Sequence, residues 1–230
     1  MKTIVISNRK GGTGKTTTAY NLGYAYAIKG KSVLFIDLDS QGNLSFLCGQ
    51  ERSDLQSFKD CKIHQVNQLI DILPATAQFS QLEHEINGMI DRNVFIKNDL
   101  FPKLNRYDYC IIDTSPSLGI LNVNAWCVAD MVHIVVNADA FSLTGLMEMK
   151  GILDQVKSIN NRMQYGIVLN DYYTGQTMTD GAIGALKEFP EYTGINIPNR
   201  AYVTKSNAAR KPAIDHEEIG SVFSQLVEVL

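Results

Sequence analysis

Ten residues near the start of the chain, RKGGTGKTTT from Arg9 to Thr18, combine glycines at 11, 12 and 14 with lysines at both ends of the loop. Glycine lacks a Cβ, so Gly11, Gly12, Thr13 and Gly14 can fold with successive N–H groups pointing inward as an anion-binding nest. A helix beginning near Lys15 adds the positive end of its dipole to the same spot. Lys15 is then placed to reach the β- and γ-phosphates of a nucleoside triphosphate, and the Thr16 hydroxyl to ligate Mg²⁺, with Thr17 next along the first turn. The generic form of such a loop has glycine where Arg9 stands, so this one is a tighter variant. Lys15 accounts for one lysine. On the residues alone Lys10 is either a solvated side chain or a second charge meant for phosphate.

Three carboxylates sit where they could work with that loop. Asp37 and Asp39 close the apolar run SVLFIDLD, and Asp113 closes YCIID ahead of Thr114, Ser115 and Pro116. Any one of them alone reads as a turn former or helix cap. Together, at strand ends beside a phosphate loop, they point to handling of magnesium and water, with the metal often held through water.

The elements that must position these groups alternate along the chain. Apolar, β-branched runs predict strands at Thr3–Ser7, Ser32–Asp39, Gln68–Leu73, Tyr109–Ser115, Met131–Asn137 and Tyr165–Asn170. Helical spacing predicts helices at Thr16–Lys29, Leu118–Val128, Gly145–Ile159 and Ile214–Leu230, and a mostly helical stretch at Gln78–Asn105 broken near Gly88 to Asn93. Such alternation implies an α/β fold: a doubly wound, mostly parallel sheet flanked by helices, with ligands at the carboxyl ends of the strands. With 230 residues and no linker, repeat or low-complexity run, one domain spanning 1–230 is expected.

Apolar content of 45%, charged content of 20% and a net charge of −3 describe an ordinary globular chain with no global pull on polyanions, so any such binding has to be local. The four cysteines are scattered without metal-ligand spacing, which disfavours disulfides and zinc and suits a reducing cytoplasm. No signal peptide is expected, because charges and the glycine loop precede any apolar run, and no stretch approaches the ~20 apolar residues of a membrane span.

The chain resembles the ParA/MinD family of deviant Walker-A ATPases, most closely its short partition members. NRKGGTGKTTTAYNLG, IDLDSQGN and YDYCIIDTSPSLG are similar to the family's first three motifs, and IPNRAYVTKSNAARKP matches the spacing of its late segment. Ser40 and Ser115 stand where proline is usual, Lys205 replaces a usual acid and Tyr202 a usual arginine. The resemblance implies ATP and Mg²⁺ as ligands, and slow hydrolysis to ADP and phosphate. It implies that Lys10 crosses an ATP-dependent homodimer to the partner's nucleotide, that Asp39 positions the attacking water and that Asp113 lies in the outer shell of the magnesium. Asn170 and the stretch from Pro198 are implied to meet the adenine. It also implies non-specific DNA binding through a stretch, Ile197 to Lys211, that holds Arg200, Lys205, Arg210 and Lys211 and no acid. A ParB-like centromere-binding partner and a cytoplasmic place on a nucleoid or plasmid complete that picture.

Other readings are open. Membrane positioning as in MinD needs a basic amphipathic end, whereas the stripe Val222, Phe223, Leu226, Val227 and Leu230 carries no lysine or arginine. Other cargo-positioning ATPases and those of conjugative elements share the motifs. A cluster protein like the nitrogenase iron protein would use Cys110 and Cys127, and a ligase like dethiobiotin synthetase has no reason to carry Lys10. No helix-turn-helix precedes the first strand, so operator binding through an N-terminal extension is not expected.

Overall fold

Runs rich in valine and isoleucine become strands that bury both faces, and they do so beneath helices that cover the sheet on each side. The computed structural model describes residues 1–104, 106–138, 140–173 and 177–229, with the side chains of 140–144 and 178 outside the description. The chain runs β1 (Lys2–Ser7), α1 (Lys15–Ile28), β2 (Val33–Leu38), α2 (Asn43–Leu47), α3 (Leu55–Lys59), β3 (His64–Gln65), β4 (Ile70–Leu73) and α4 (Phe79–Asn87). It continues with β5 (Tyr109–Thr114), α5 (Ile120–Val128), β6 (Met131–Asn137), α6 (Ala140–Val156), β7 (Gln164–Tyr172), α7 (Thr177–Leu186), β8 (Tyr192–Pro198), α8 (Ala201–Ala208) and α9 (Glu217–Leu226). The strands form one sheet in the order β3-β4-β2-β5-β1-β6-β7-β8. Every neighbouring pair is parallel except β3 with β4. This is the doubly wound architecture the alternation predicts.

Differences from the predicted elements have local causes. β8 was not foreseen: Gly194 takes φ +74°, the ladder with β7 slips twice, and a proline ends it, so no clean apolar run marks it. The stretch at Gln78–Asn105 breaks after Asn87, where a break is expected, but goes on as short helical turns at Arg92–Val94, Ile96–Leu100 and Phe101–Lys103 instead of an α-helix; Asn105 lies outside the described residues. The last helix begins at Glu217, after a short turn at Ala213–Asp215, and Leu230 is likewise outside the description.

Two apolar layers fix the site. On one face Ile4, Ile6, Phe35 and Ile111 pack against Tyr20, Leu22 and Tyr26 of α1. Gly23 allows that approach, since a Cβ there would lie 2.2 Å from the Phe35 ring. Side chains alternate along a strand. Asp37 and Asp113, each two residues beyond a core residue of this face, therefore project toward the start of α1. On the same face Phe223, Leu226 and Val227 are buried, so the described part of the terminal apolar stripe is spent on the body of the protein. Among the described residues no helix is long and apolar enough to cross a membrane.

His133 on β6 is fully buried, and neither ring nitrogen has a hydrogen-bond partner. Burial alone pulls its pKa down to about 4 from 6.5. The unfolded chain then binds the extra proton first, so the His133 contribution to stability is full above pH 6.5 and is lost as pH falls toward 4. Replacing it with leucine of similar size removes two unsatisfied nitrogens and that proton linkage. His133→Leu is expected to stabilise the protein by about 2 kcal/mol at pH 5 and less at pH 7.5, from the shift of about one and a half units left at pH 5. Thermal melts at the two pH values check it; a variant equally affected at both has no such linkage.

Candidate nucleotide and magnesium site

The loop after β1 is held at both ends before any ligand arrives. Asn8, buried, donates from Nδ2 to the Val135 carbonyl at 2.6 Å and accepts the Lys10 N–H at 3.0 Å. Gly12 and Gly14 adopt φ +74° and +88°, conformations that L side chains rarely take, and Gly14 caps α1. At the far side Asn170, on β7, donates from Nδ2 to the Thr13 carbonyl at 2.9 Å and lies against Gly14. A Cβ on Gly14 would meet that amide at 2.3 Å. Asn170 is thus engaged in bracing the loop, and it also lines the cleft beyond it.

Lys15 is buried, and its ammonium donates to the Lys10 carbonyl at 3.1 Å. Desolvation lowers its pKa, while the charges of Asp113 and Asp39 oppose that shift. Lys10 itself is exposed at the rim of the loop. The two lysines therefore differ in kind: one is folded inward over the nest, the other is mounted outside it on a pinned backbone.

The carboxylates divide their work. Thr16 Oγ1 donates to Asp113 Oδ2 at 2.6 Å, and Asp113 Oδ1 is buried with no partner. Burial, then the neighbouring Asp37 charge, raises the Asp113 pKa well above the ordinary carboxylate range. Such an orphaned oxygen beside a hydroxyl suits a hydrated divalent cation, whose charge would restore the ionised form. Among the described residues no three metal-ligating side chains cluster, so phosphate and water must supply most of the coordination. Thr16 and Asp113 are the residues that would hold Mg²⁺ there.

Asp37 is otherwise occupied. Oδ2 accepts from both the backbone and the hydroxyl of Ser45 at 2.8 Å, and Oδ1 accepts from the Asp39 N–H at 3.1 Å. Its pKa is pushed up to about 6 by burial, against the pull of these bonds. The geometry assigns it to fastening α2 and the turn that carries Asp39. Asp39, with Oδ1 accepting from the Gln41 N–H at 2.9 Å, faces the main cleft.

That cleft, about 630 Å³, is lined by Gly11 through Thr17, Asp39, Pro116 and Asn207. A smaller one of about 160 Å³ adjoins it, lined by Asn170, Pro198, Asn199 and Val203 among others. Sequence reasoning passed over Asn8 and Asn207. Asn8 follows directly on β1, a position where the strand-end rule could have found it.

The late basic stretch is not as acid-free in space as it is in sequence. Glu218 on α9 folds back on Arg200, which grips both carboxylate oxygens, and Tyr202 donates to the same group at 3.3 Å. Arg210 lies over the Phe46 ring at 4.1 Å, at the mouth of the cleft. Lys205 and Lys211 are exposed. Of the four cations, Lys205, Arg210 and Lys211 are exposed, Arg210 while stacked on an aromatic ring, and Arg200 is paired with an acid.

A glycine nest between a parallel strand and its helix, an inward lysine and carboxylates at neighbouring strand ends define a P-loop nucleoside triphosphatase. The AAA domain family (AAA_31) matches residues 1–165. The sporulation initiation inhibitor protein Soj of Bacillus subtilis is 36% identical over 179 residues, covering 73% of this chain and 70% of that one. The chromosome partitioning protein ParA of Caulobacter vibrioides is 36% identical over 188 residues, covering 75% and 70%. A Cyanothece McdA variant solved as an ATP complex superposes with a TM-score of 0.89 at 23% identity, over 99% of this chain and 95% of that one, and shares the fold. The chain belongs to the ParA/MinD family of ATPases.

Proposed function

We propose that this chain is a partition ATPase: it binds Mg-ATP, closes into a homodimer on ATP, holds DNA without sequence preference as that dimer, and hydrolyses ATP to ADP and phosphate when a ParB-like centromere-binding partner stimulates it. The observation that carries the reading is the division between the two lysines. Lys15 lies buried over the nest, where it neutralises phosphate in its own subunit. Lys10 stands outside it, on a backbone pinned by Asn8 and by Lys15 itself. A cation delivered in trans stabilises charge that develops during phosphoryl transfer, as an arginine finger does. Magnesium, when bound, shields the phosphate oxygens. Asp39 orients the attacking water from its place on the cleft wall, and the Thr16–Asp113 pair sets the metal side of the site. The base lies beside Pro198 in the smaller cleft. The Soj and ParA relatives support the cellular role.

Sedimentation with ATP, with ADP and without nucleotide tests the switch: a dimer is expected with ATP alone. A monomer in all three conditions, or brisk turnover by the purified chain without partner, counts against it.

For DNA, the exposed lysines are expected to matter more than Arg200. Lys205→Ala and Lys211→Ala should each weaken ATP-dependent DNA retention and reduce the slope of log affinity against log salt by about 1. Arg200→Ala should do less, because Glu218 already holds that guanidinium. Salt titrations in the presence of ATP measure all three, and unchanged slopes in both lysine variants dispose of the patch.

A further inference from the structure

Two residues, Thr17 and Asn207, line both the main cleft and its smaller neighbour. Asn207 stands on the last turn of α8, and its Nδ2 donates to the Thr17 hydroxyl at 2.9 Å. That bond fixes the amide and leaves its other half exceptional: Oδ1 is buried with no hydrogen-bond partner. Buried carbonyl oxygens are nearly always paired, so an orphan at the junction of two clefts points to a missing donor.

The chemistry of the donor follows from what must lie there. With phosphates on the nest and a base beside Pro198, the sugar of a nucleotide falls against the bonded Thr17–Asn207 pair. An amide oxygen repels a phosphate and accepts from a hydroxyl. We infer that Asn207 is a specificity-determining residue that accepts a hydrogen bond from a ribose hydroxyl, with Thr17 holding the amide in the orientation this requires. The site then selects ribonucleotides over their deoxy counterparts. The inference rests on the nucleotide reading above, and it adds a role for α8: the helix that carries Lys205 also touches the sugar.

Calorimetric titration with ATP, 2′-deoxy-ATP and 3′-deoxy-ATP in magnesium tests it, on the wild type, Asn207→Leu and the milder Asn207→Ala. The wild type is expected to bind at least one deoxy analogue about tenfold or more weakly than ATP, because that analogue leaves a buried acceptor unpaired. In both variants the ratio should collapse toward one, with ATP bound about as weakly as the analogue. The ratio is the readout, since general damage to α8 moves all three affinities together. Equal wild-type affinity for the three nucleotides overturns the inference, as does a variant that keeps the wild-type ratio. A wild type that binds no nucleotide sinks the nucleotide reading as well; one that binds ATP without regard to its sugar sinks this inference alone.

Discussion

Lys15→Ala is expected to lose ATP and ADP binding by about a hundredfold or more, since two charge-assisted bonds to phosphate at about 1.5–3 kcal/mol each disappear. Calorimetry or fluorescent-nucleotide titration reads this directly. The same substitution should leave a mark on the protein without nucleotide. The charge of Lys15 favours the ionised form of the buried Asp113, a form disfavoured first by burial and then by Asp37. A carboxyl with a raised folded pKa contributes stability that is present below its unfolded value and is lost as pH rises through the folded one. Asp37, pushed up to about 6, behaves the same way. Removing Lys15 raises the Asp113 pKa further. The variant should therefore melt lower than the wild type at pH 8 and approach it as pH falls toward 5. A variant that binds ATP as the wild type does, or whose deficit is the same at both pH values, contradicts the coupling of Lys15 to the strand-end carboxylates.

How much of this was legible in the sequence depended on the range of the interactions concerned. β1, β2 and β4 to β7 announce themselves because strands buried on both faces need continuous apolar runs. The exposed two-residue β3 carries no such signal. The helix α8 buries none of its residues and so shows no apolar period, and no helix is predicted for it. Strand-end aspartates could be found by rule, since open parallel sheets bind ligands at that edge. What the rule could not show is how the three differ. Asp37 is committed to Ser45, eight residues on, whereas Asp113 meets Thr16 across 97 residues. The braces were hidden for the same reason: Asn8 reaches β6 and Asn207 reaches Thr17 over 127 and 190 residues. Even the basic stretch changed character through one contact, Glu218 to Arg200, that its local composition conceals.

Lys10→Ala is the second large effect expected, and it should separate binding from switching. Two bonds of its backbone brace the loop: the N–H goes to Asn8 and the carbonyl receives Lys15. Alanine keeps both bonds, so affinity for ATP and ADP in the monomer should stay within about threefold of wild type, a change of less than about 1 kcal/mol. The ammonium is the group that the proposed dimer would use. On that proposal, ATP should no longer close the pair in the variant, and partner-stimulated turnover should fall about a thousandfold, the scale of losing a finger residue. Asn8→Ala makes an informative companion, because it keeps the ammonium but frees the backbone that aims it; turnover should fall by a smaller factor while nucleotide binding weakens through the displaced Lys15 contact. Sedimentation with ATP and a stimulated turnover assay, run on both variants, give the two readouts. If Lys10→Ala still forms the ATP dimer and turns over as the wild type does, the outer lysine has no part in the reaction, and closure must depend on other groups around the cleft.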